Sequence, residues 1–150
     1  AAELWRMRDS IPESQRRDGC CIKHDISVPV SKIPDFLEKA EPIVRRHFAQ
    51  ARLVPFGHMG DGNLHYNLVI DRDQANDPHI AALTAAIHDL THQMGGSISA
   101  EHGIGVCKRD ELKKYKSPAQ IQLMQRIKQE LDPAGVMNPG KLLPPLEQPE

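Results

Sequence analysis

Two histidines seven residues apart, His58 and His65, bracket an Asp-Gly turn in the segment Gly57-His58-Met59-Gly60-Asp61-Gly62-Asn63-Leu64-His65. Imidazole is the commonest side-chain metal ligand, and zinc takes histidine nitrogen together with carboxylate oxygen. Strand-like apolar runs lie on both sides, at residues 51–56 and 66–70. Asp-Gly between two such runs is a strong hairpin signal. With a two-residue loop at Asp61-Gly62, His58 stands opposite His65, with Cβ atoms roughly 4.5–5.5 Å apart. Two imidazoles held that way can share one ion. Catalytic zinc takes three protein ligands and keeps a fourth position open. Glu101 is the best third ligand, in a loop where Gly103 and Gly105 let the backbone approach closely. His102 beside it can serve as general base, so that metal and base address the same substrate atoms. Asp61 and Asn63 also have a purely conformational reason to occupy a turn.

The remaining histidines are expected to be structural or solvated. His79, His88 and His92 fall on one helical segment and His47 on another, and helix histidines without a carboxylate partner are common. His24 lies in a strand, where packing is the favoured reading over lining a site.

The elements that must position these residues follow from periodicity and punctuation. Residues 4–15 read as a helix disturbed by Pro12. Residues 20–30 alternate as a strand, with Ile22, His24, Ile26 and Val28 on one face and Lys23, Asp25 and Ser27 on the other. Ser31 is placed to cap a helix with Pro34 in its first turn, an apolar stripe from Ile33 to Phe48, and an awkward Pro42 inside. After the hairpin, Asp77-Pro78 opens a helix reaching about Met94, with Ile80, Leu83, Ile87 and Leu90 as its core face. Residues 97–100 are a short extended piece. A charged helix spans about 106–115, and Ser117-Pro118 starts a last one carrying Ile121, Met124, Ile127 and Leu131. The order β-α-β-β-α-β predicts an α+β fold: a ferredoxin-like antiparallel sheet with helices packed on one face, plus C-terminal helices.

At 150 residues and a net charge of −1, the chain reads as one domain with a real core and no electrostatic call for nucleic acid. No apolar run reaches the ~18 residues of a membrane span, and the first residues lack the apolar stretch of a signal peptide. Cys20 and Cys21 point to opposite faces of a strand and Cys107 is isolated, which fits a reducing cytoplasm better than disulfides. The chain lacks an initial Met and ends in a Pro-rich stretch, 144–150, which fits a piece of a longer protein.

Four segments carry a resemblance. Residues 57–65 resemble the Gly-His-x-Gly-Asp-Gly-Asn-x-His motif of FAD-linked oxidases, the D-lactate, glycolate and D-2-hydroxyglutarate dehydrogenases of the vanillyl-alcohol-oxidase type. Ser99-Ala100-Glu101-His102-Gly103-Ile104-Gly105 resembles their second motif, and residues 131–141, ending Asn138-Pro139-Gly140-Lys141, their closing one. Arg17-Asp18-Gly19 with Lys23 and Asp25-Ile26-Ser27-Val28-Pro29 also fits. Together these segments span nearly the whole chain in order.

The resemblance implies the C-terminal, substrate-side part of such an enzyme over residues 1–150, with most of the FAD bound by a domain outside this chain. By position it implies His58, His65 and Glu101 as ligands of zinc or a similar divalent metal, and His102 as the base. Asn63, Lys23 and Arg8 become substrate contacts, and Asn138 a neighbour of the flavin. The substrate is then a small D-2-hydroxy acid oxidised to the 2-oxo acid; the electron acceptor is unnamed and a homodimer is left open. One departure is Pro12, at a place where relatives acting on 2-hydroxyglutarate have Thr four residues after the Arg. Pro has neither hydroxyl nor backbone donor, so a second carboxylate would be held differently or be absent. Glu101 as base with His102 as ligand is the converse assignment. The competing readings are a metal-dependent hydrolase using the same His/His/Glu set on water, and a non-catalytic metal-binding module.

Overall fold

The computed structural model describes residues 2–143, apart from the side chains of Pro12 and Arg16; the Pro-rich stretch 144–150 lies outside them. The chain divides into two compact units between Glu101 and His102.

The first unit contains helices α1 (Ala2–Asp18), α2 (Ile33–His47) and α3 (His79–Gln93), and strands β1 (Cys20–Ile22), β2 (Asp25–Ser27), β3 (Arg52–Phe56) and β4 (Asn63–Ile70). β4 is central and every pairing is antiparallel. β3 lies along one edge of it, while β1 and β2 lie end to end along the other. Cys21 pairs with Val69 and Asp25 with His65, so a single register runs through both short strands. The expected strand 20–30 is therefore interrupted at Lys23-His24, though the Tyr66 N–H still donates to the His24 carbonyl at 2.9 Å.

Beyond β2, Ser27 and Ser97 exchange two backbone hydrogen bonds of 2.9 Å. The backbone order is thus Ser97, β1/β2, β4, β3, the ferredoxin-like arrangement expected from the element order. Gly96 permits this edge contact. A Cβ there would lie 2.0 Å from the Ser27 carbonyl oxygen.

Alternation along β4 separates two environments. Leu64, Tyr66, Leu68 and Ile70 join Ile22, Ile26, Phe36, Val44, Leu83 and Ile87 in the core. The Phe36 ring meets Tyr66 edge-on at 5.5 Å, a favourable aromatic geometry. Helices α2 and α3 supply the lid of this core. His24 packs, as expected: it is buried, with Nδ1 2.9 Å from the Tyr66 carbonyl and Nε2 3.3 Å from the Thr84 hydroxyl.

Several local features depart from expectation. Ser31 falls in a 3-10 turn, and α2 starts after Lys32 with no side-chain cap. Pro42 does not split α2, which runs unbroken from Ile33 to His47. Its buried residues Phe36, Ala40 and Val44 recur at the spacing of a helix face, so packing outweighs the hydrogen bond lost at Pro42. Nor does Pro12 interrupt α1.

The second unit holds α4 (Arg109–Tyr115) and α5 (Pro118–Leu131). α4 starts three residues later than the sequence suggested. α5 begins with a reciprocal capping box between Ser117 and Gln120. After it, the Asp132 carboxylate accepts from the backbone N–H groups of Val136 and Met137, both at 3.0 Å, and from Lys128 Nζ. The Lys128 hydrogen bond, reinforced by those two N–H donors, holds the Asp132 carboxyl below the usual carboxylate range.

Candidate metal and substrate site

The loop between β3 and β4 is six residues, 57–62, not two. A 3-10 turn over Met59–Asp61 fills it, with Asp61 N–H on the His58 carbonyl at 3.0 Å and Gly62 N–H on the Met59 carbonyl at 3.1 Å. Gly62 closes the turn at φ 75°, a left-handed conformation that suits glycine. A Cβ on Gly62 would also lie 2.1 Å from the Val28 carbonyl oxygen. The longer loop changes the register: His65 stands opposite Phe56, not His58. The expected pairing of the two histidines across the hairpin is therefore wrong.

The loop nevertheless returns His58 to the same place. The two imidazole centroids are 6.5 Å apart, and Glu101 meets both rings. His58 Nδ1 is 2.8 Å from Glu101 Oε1, and His65 Nε2 is 3.8 Å from Oε2. Asn63 Nδ2 donates to Oε1 of the same carboxylate. Glu101 arrives by way of the edge segment that starts at Ser97, whose Ala100 N–H donates to the Asp25 carbonyl at 3.3 Å. Thus His58, Asn63 and His65 of the hairpin and Glu101, far along the chain, converge on the sheet face opposite the core.

Among the other expected site residues, Arg8 reaches this face from α1. Its guanidinium lies 5.0 Å from the Phe56 ring centroid, and Phe56 in turn packs against His65 at 5.0 Å. That stacking holds a cation beside the histidines. Lys23 is exposed and sits at the break between β1 and β2, in register with Asn67. His102 is the first residue of the second unit and is exposed. Asn138 is in that unit too, at a left-handed φ of 49° that asparagine tolerates. It borders a cleft of about 640 Å³ that is also lined by Met124, Ile127, Leu131, Met137 and Leu142.

Sequence reasoning missed two residues. Phe56 was read only as part of a strand, but its register with His65 makes it the platform for Arg8. Asp25 was read as one of the polar alternates of a strand. It is 4 % exposed, its Oδ2 accepts the Glu101 backbone N–H at 3.0 Å, and its Oδ1 lies 3.8 Å from His65 Nδ1. An acidic residue inside an otherwise foldable strand was the available signal, since a buried carboxylate needs partners to be tolerable.

The donor set suits a divalent cation, because two imidazoles and one carboxylate make up a common zinc complement. The Asn63 Oδ1 atom is buried with no hydrogen-bond partner among the described residues, which leaves an acceptor for a bound group. Such a face can hold a small anionic molecule through Arg8 and a polar substrate oxygen through Asn63.

The sheet thus carries α2 and α3 on its core face and the candidate site, with Arg8 and Gln15 of α1, on the other. The chain belongs to the FAD-linked oxidase family: residues 1–142 match the family described as FAD linked oxidases, C-terminal domain. Among relatives, it is 41% identical over 143 residues to the D-2-hydroxyglutarate dehydrogenase of Stutzerimonas stutzeri, covering 93% of this chain and 30% of the relative. It is 39% identical over 144 residues to the mitochondrial D-2-hydroxyglutarate dehydrogenase of Arabidopsis thaliana, covering 96% of this chain and 25% of that protein. For the corresponding Bos taurus protein the identity is 38% over 141 residues, with coverage of 94% and 25%. The chain thus spans less than a third of the length of these relatives. Among the described residues, no helix is long and apolar enough to cross a membrane.

Proposed function

We propose that this chain is the substrate-side part of a flavin-dependent dehydrogenase that oxidises a D-2-hydroxy acid to the 2-oxo acid, with a divalent metal held by His58, His65 and Glu101. The observation that carries the reading is the convergence of those three side chains and Asn63 on one face of β4, in a member of the FAD-linked oxidase family. When bound, the flavin supplies a hydride acceptor and the metal a Lewis acid toward the substrate's oxygens.

The protein's own groups do the rest. Arg8, steadied on Phe56, and Lys23 neutralise substrate carboxylate, Arg8 through a planar fork suited to two oxygens. Asn63 orients a substrate oxygen and restrains Glu101. His102 takes the proton of the substrate hydroxyl as general base. Asn138 and the apolar cleft beside it in the second unit cover part of the flavin, whose main binding domain lies outside this chain. The names of the relatives make D-2-hydroxyglutarate the first acid to test, and Pro12 makes the handling of its second carboxylate the point where this protein would differ.

The test is metal analysis of the full-length flavoprotein together with a dye-reduction screen over D-2-hydroxyglutarate, D-lactate, D-malate and glycolate. Stoichiometric metal and dye reduction with at least one D-2-hydroxy acid, lost on chelation, are expected. Dye reduction indifferent to chelation would remove the metal from the reading. Zinc-dependent hydrolysis of esters or phosphates without any flavin reduction would replace the reading altogether.

A further inference from the structure

Asp25 is a buried carboxylate on the site face that the mechanism above does not use. It sits in β2 directly across from His65 in β4. One of its oxygens, Oδ2, accepts the backbone N–H of Glu101 at 3.0 Å, and the other, Oδ1, lies 3.8 Å from His65 Nδ1. On the far side of the same ring, His65 Nε2 faces Glu101 Oε2 at 3.8 Å. The backbone of Asp25 takes part as well, since its carbonyl accepts from Ala100 N–H at 3.3 Å.

From this geometry we propose that Asp25 is a positioning residue: it orients the His65 imidazole and anchors Glu101, so that two ligands from separate strands present their donor atoms to one point. The inference rests on the reading of His58, His65 and Glu101 as a metal site. The physical argument concerns which nitrogen carries hydrogen. A neutral imidazole has one N–H and one lone pair. Ionised carboxylates face both nitrogens at 3.8 Å, Asp25 Oδ1 at Nδ1 and Glu101 Oε2 at Nε2; once a cation shared with Glu101 takes Nε2, the hydrogen must lie on Nδ1, where Asp25 Oδ1 faces it. Nε2 is then left with its lone pair directed toward Glu101, which is the form a cation requires. A ligating histidine whose other nitrogen faces a carboxylate is a recurring arrangement, and loss of such a carboxylate typically costs 10–100-fold in metal affinity. Asp25 goes further than most, because the same carboxylate also sets the backbone of a second ligand.

The discriminating substitution is Asp25→Asn in the full-length protein. The side-chain amide keeps an oxygen for the Glu101 N–H but offers N–H to His65 Nδ1, which drives the ring hydrogen to Nε2. Zinc affinity, measured by competition with a chromophoric chelator, is expected to fall 10–100-fold, while the far-UV circular dichroism stays that of the wild type. In the zinc-loaded, 15N-histidine-labelled protein, NMR is expected to show the His65 ring hydrogen on Nδ1 in the wild type, and that signal weakened or lost in the variant. An affinity for zinc within threefold of wild type in Asp25→Asn would overturn the proposal. So would a ring hydrogen on Nε2 of His65 in the zinc-loaded wild type, a result available even if the variant does not fold. Failure of the wild type to bind zinc would instead refute the metal-site reading and this inference with it, whereas tight wild-type binding with an unaffected variant would sink the role of Asp25 alone.

Discussion

The two faces of β4 are built from alternate residues of one strand and serve opposite ends. Leu64, Tyr66, Leu68 and Ile70 face α2 and α3 and are sealed in apolar packing. Asn63, His65 and Asn67 face the other way. They are well buried too, yet they are held by hydrogen bonds and rings: Asn67 to Gln15 of α1 at 3.0 Å, Asn63 to Glu101, and His65 against Phe56. The first face has no polar side chain to satisfy except the Tyr66 hydroxyl. The second keeps, at Asn63 Oδ1, an acceptor without a hydrogen-bond partner among the described residues. A slip of one residue would exchange the faces completely, so the core that fixes the register of β4 also fixes which side chains reach the site. Stability and chemistry are therefore separable by parity along the strand, and substitutions on the two faces should differ in kind.

The largest expected effect is on the site face. Glu101→Gln in the full-length enzyme should lose its metal and lower kcat/KM by more than about 1000-fold, over about 4 kcal/mol of transition-state stabilisation. Thermal stability should change little, since the Glu101 side chain is substantially exposed. His102→Ala should keep the metal while losing roughly 100-fold or more in kcat. The reverse pattern, metal kept in the first and lost in the second, would exchange the two roles. On the core face, Leu68→Ala should cost about 2–5 kcal/mol of folding stability by denaturant titration, for Leu68 is fully buried. The protein that remains folded should carry its normal complement of metal. Loss of metal from folded Leu68→Ala, or a collapse of stability in Glu101→Gln, would break the division between the faces.

Much of this was legible in the residues. Alternation assigned Ile22, His24, Ile26 and Val28 to one face and Lys23, Asp25 and Ser27 to the other, because a period of two is a local property of a strand. The Asp-Gly signal marked the hairpin but misjudged the loop. Its length depends on the Val28 carbonyl packing against Gly62, a contact across 34 residues of chain that no local pattern encodes. The opposed histidines were inferred from that short loop, and their proximity survives for another reason, namely that the 3-10 turn folds His58 back over the strand end. Asp25 was the least legible. Its sequence context is that of a solvent-facing strand position, whereas in the fold it is buried and takes the Glu101 N–H, which residues 97–101 bring to the sheet edge. The cap expected at Ser31 failed similarly, because Val30–Lys32 forms its own turn before α2 begins.

The smallest effect tests the core face at its single polar atom. Tyr66 is 1 % exposed, and its hydroxyl has no hydrogen-bond partner among the described residues. Burial, aided by the charge of Glu41 and opposed by Arg45, pushes its phenol up from an ordinary value of 10.0 to about 12. In the unfolded chain the phenol releases its proton near pH 10, while in the fold it holds it until about pH 12. The stability tied to the neutral ring is therefore complete below pH 10 and is lost as pH rises through that interval. Tyr66→Phe removes both the orphaned hydroxyl and this titration. At pH 7 it should leave stability unchanged or raise it by up to about 1 kcal/mol, since deleting an unsatisfied buried polar group costs nothing in hydrogen bonding. Between pH 10 and 12 the gap in favour of the Phe variant should widen in paired denaturant titrations. A variant clearly less stable than wild type at pH 7 would mean that the hydroxyl is satisfied in solution, and that the core face of β4 is less purely apolar than its packing indicates.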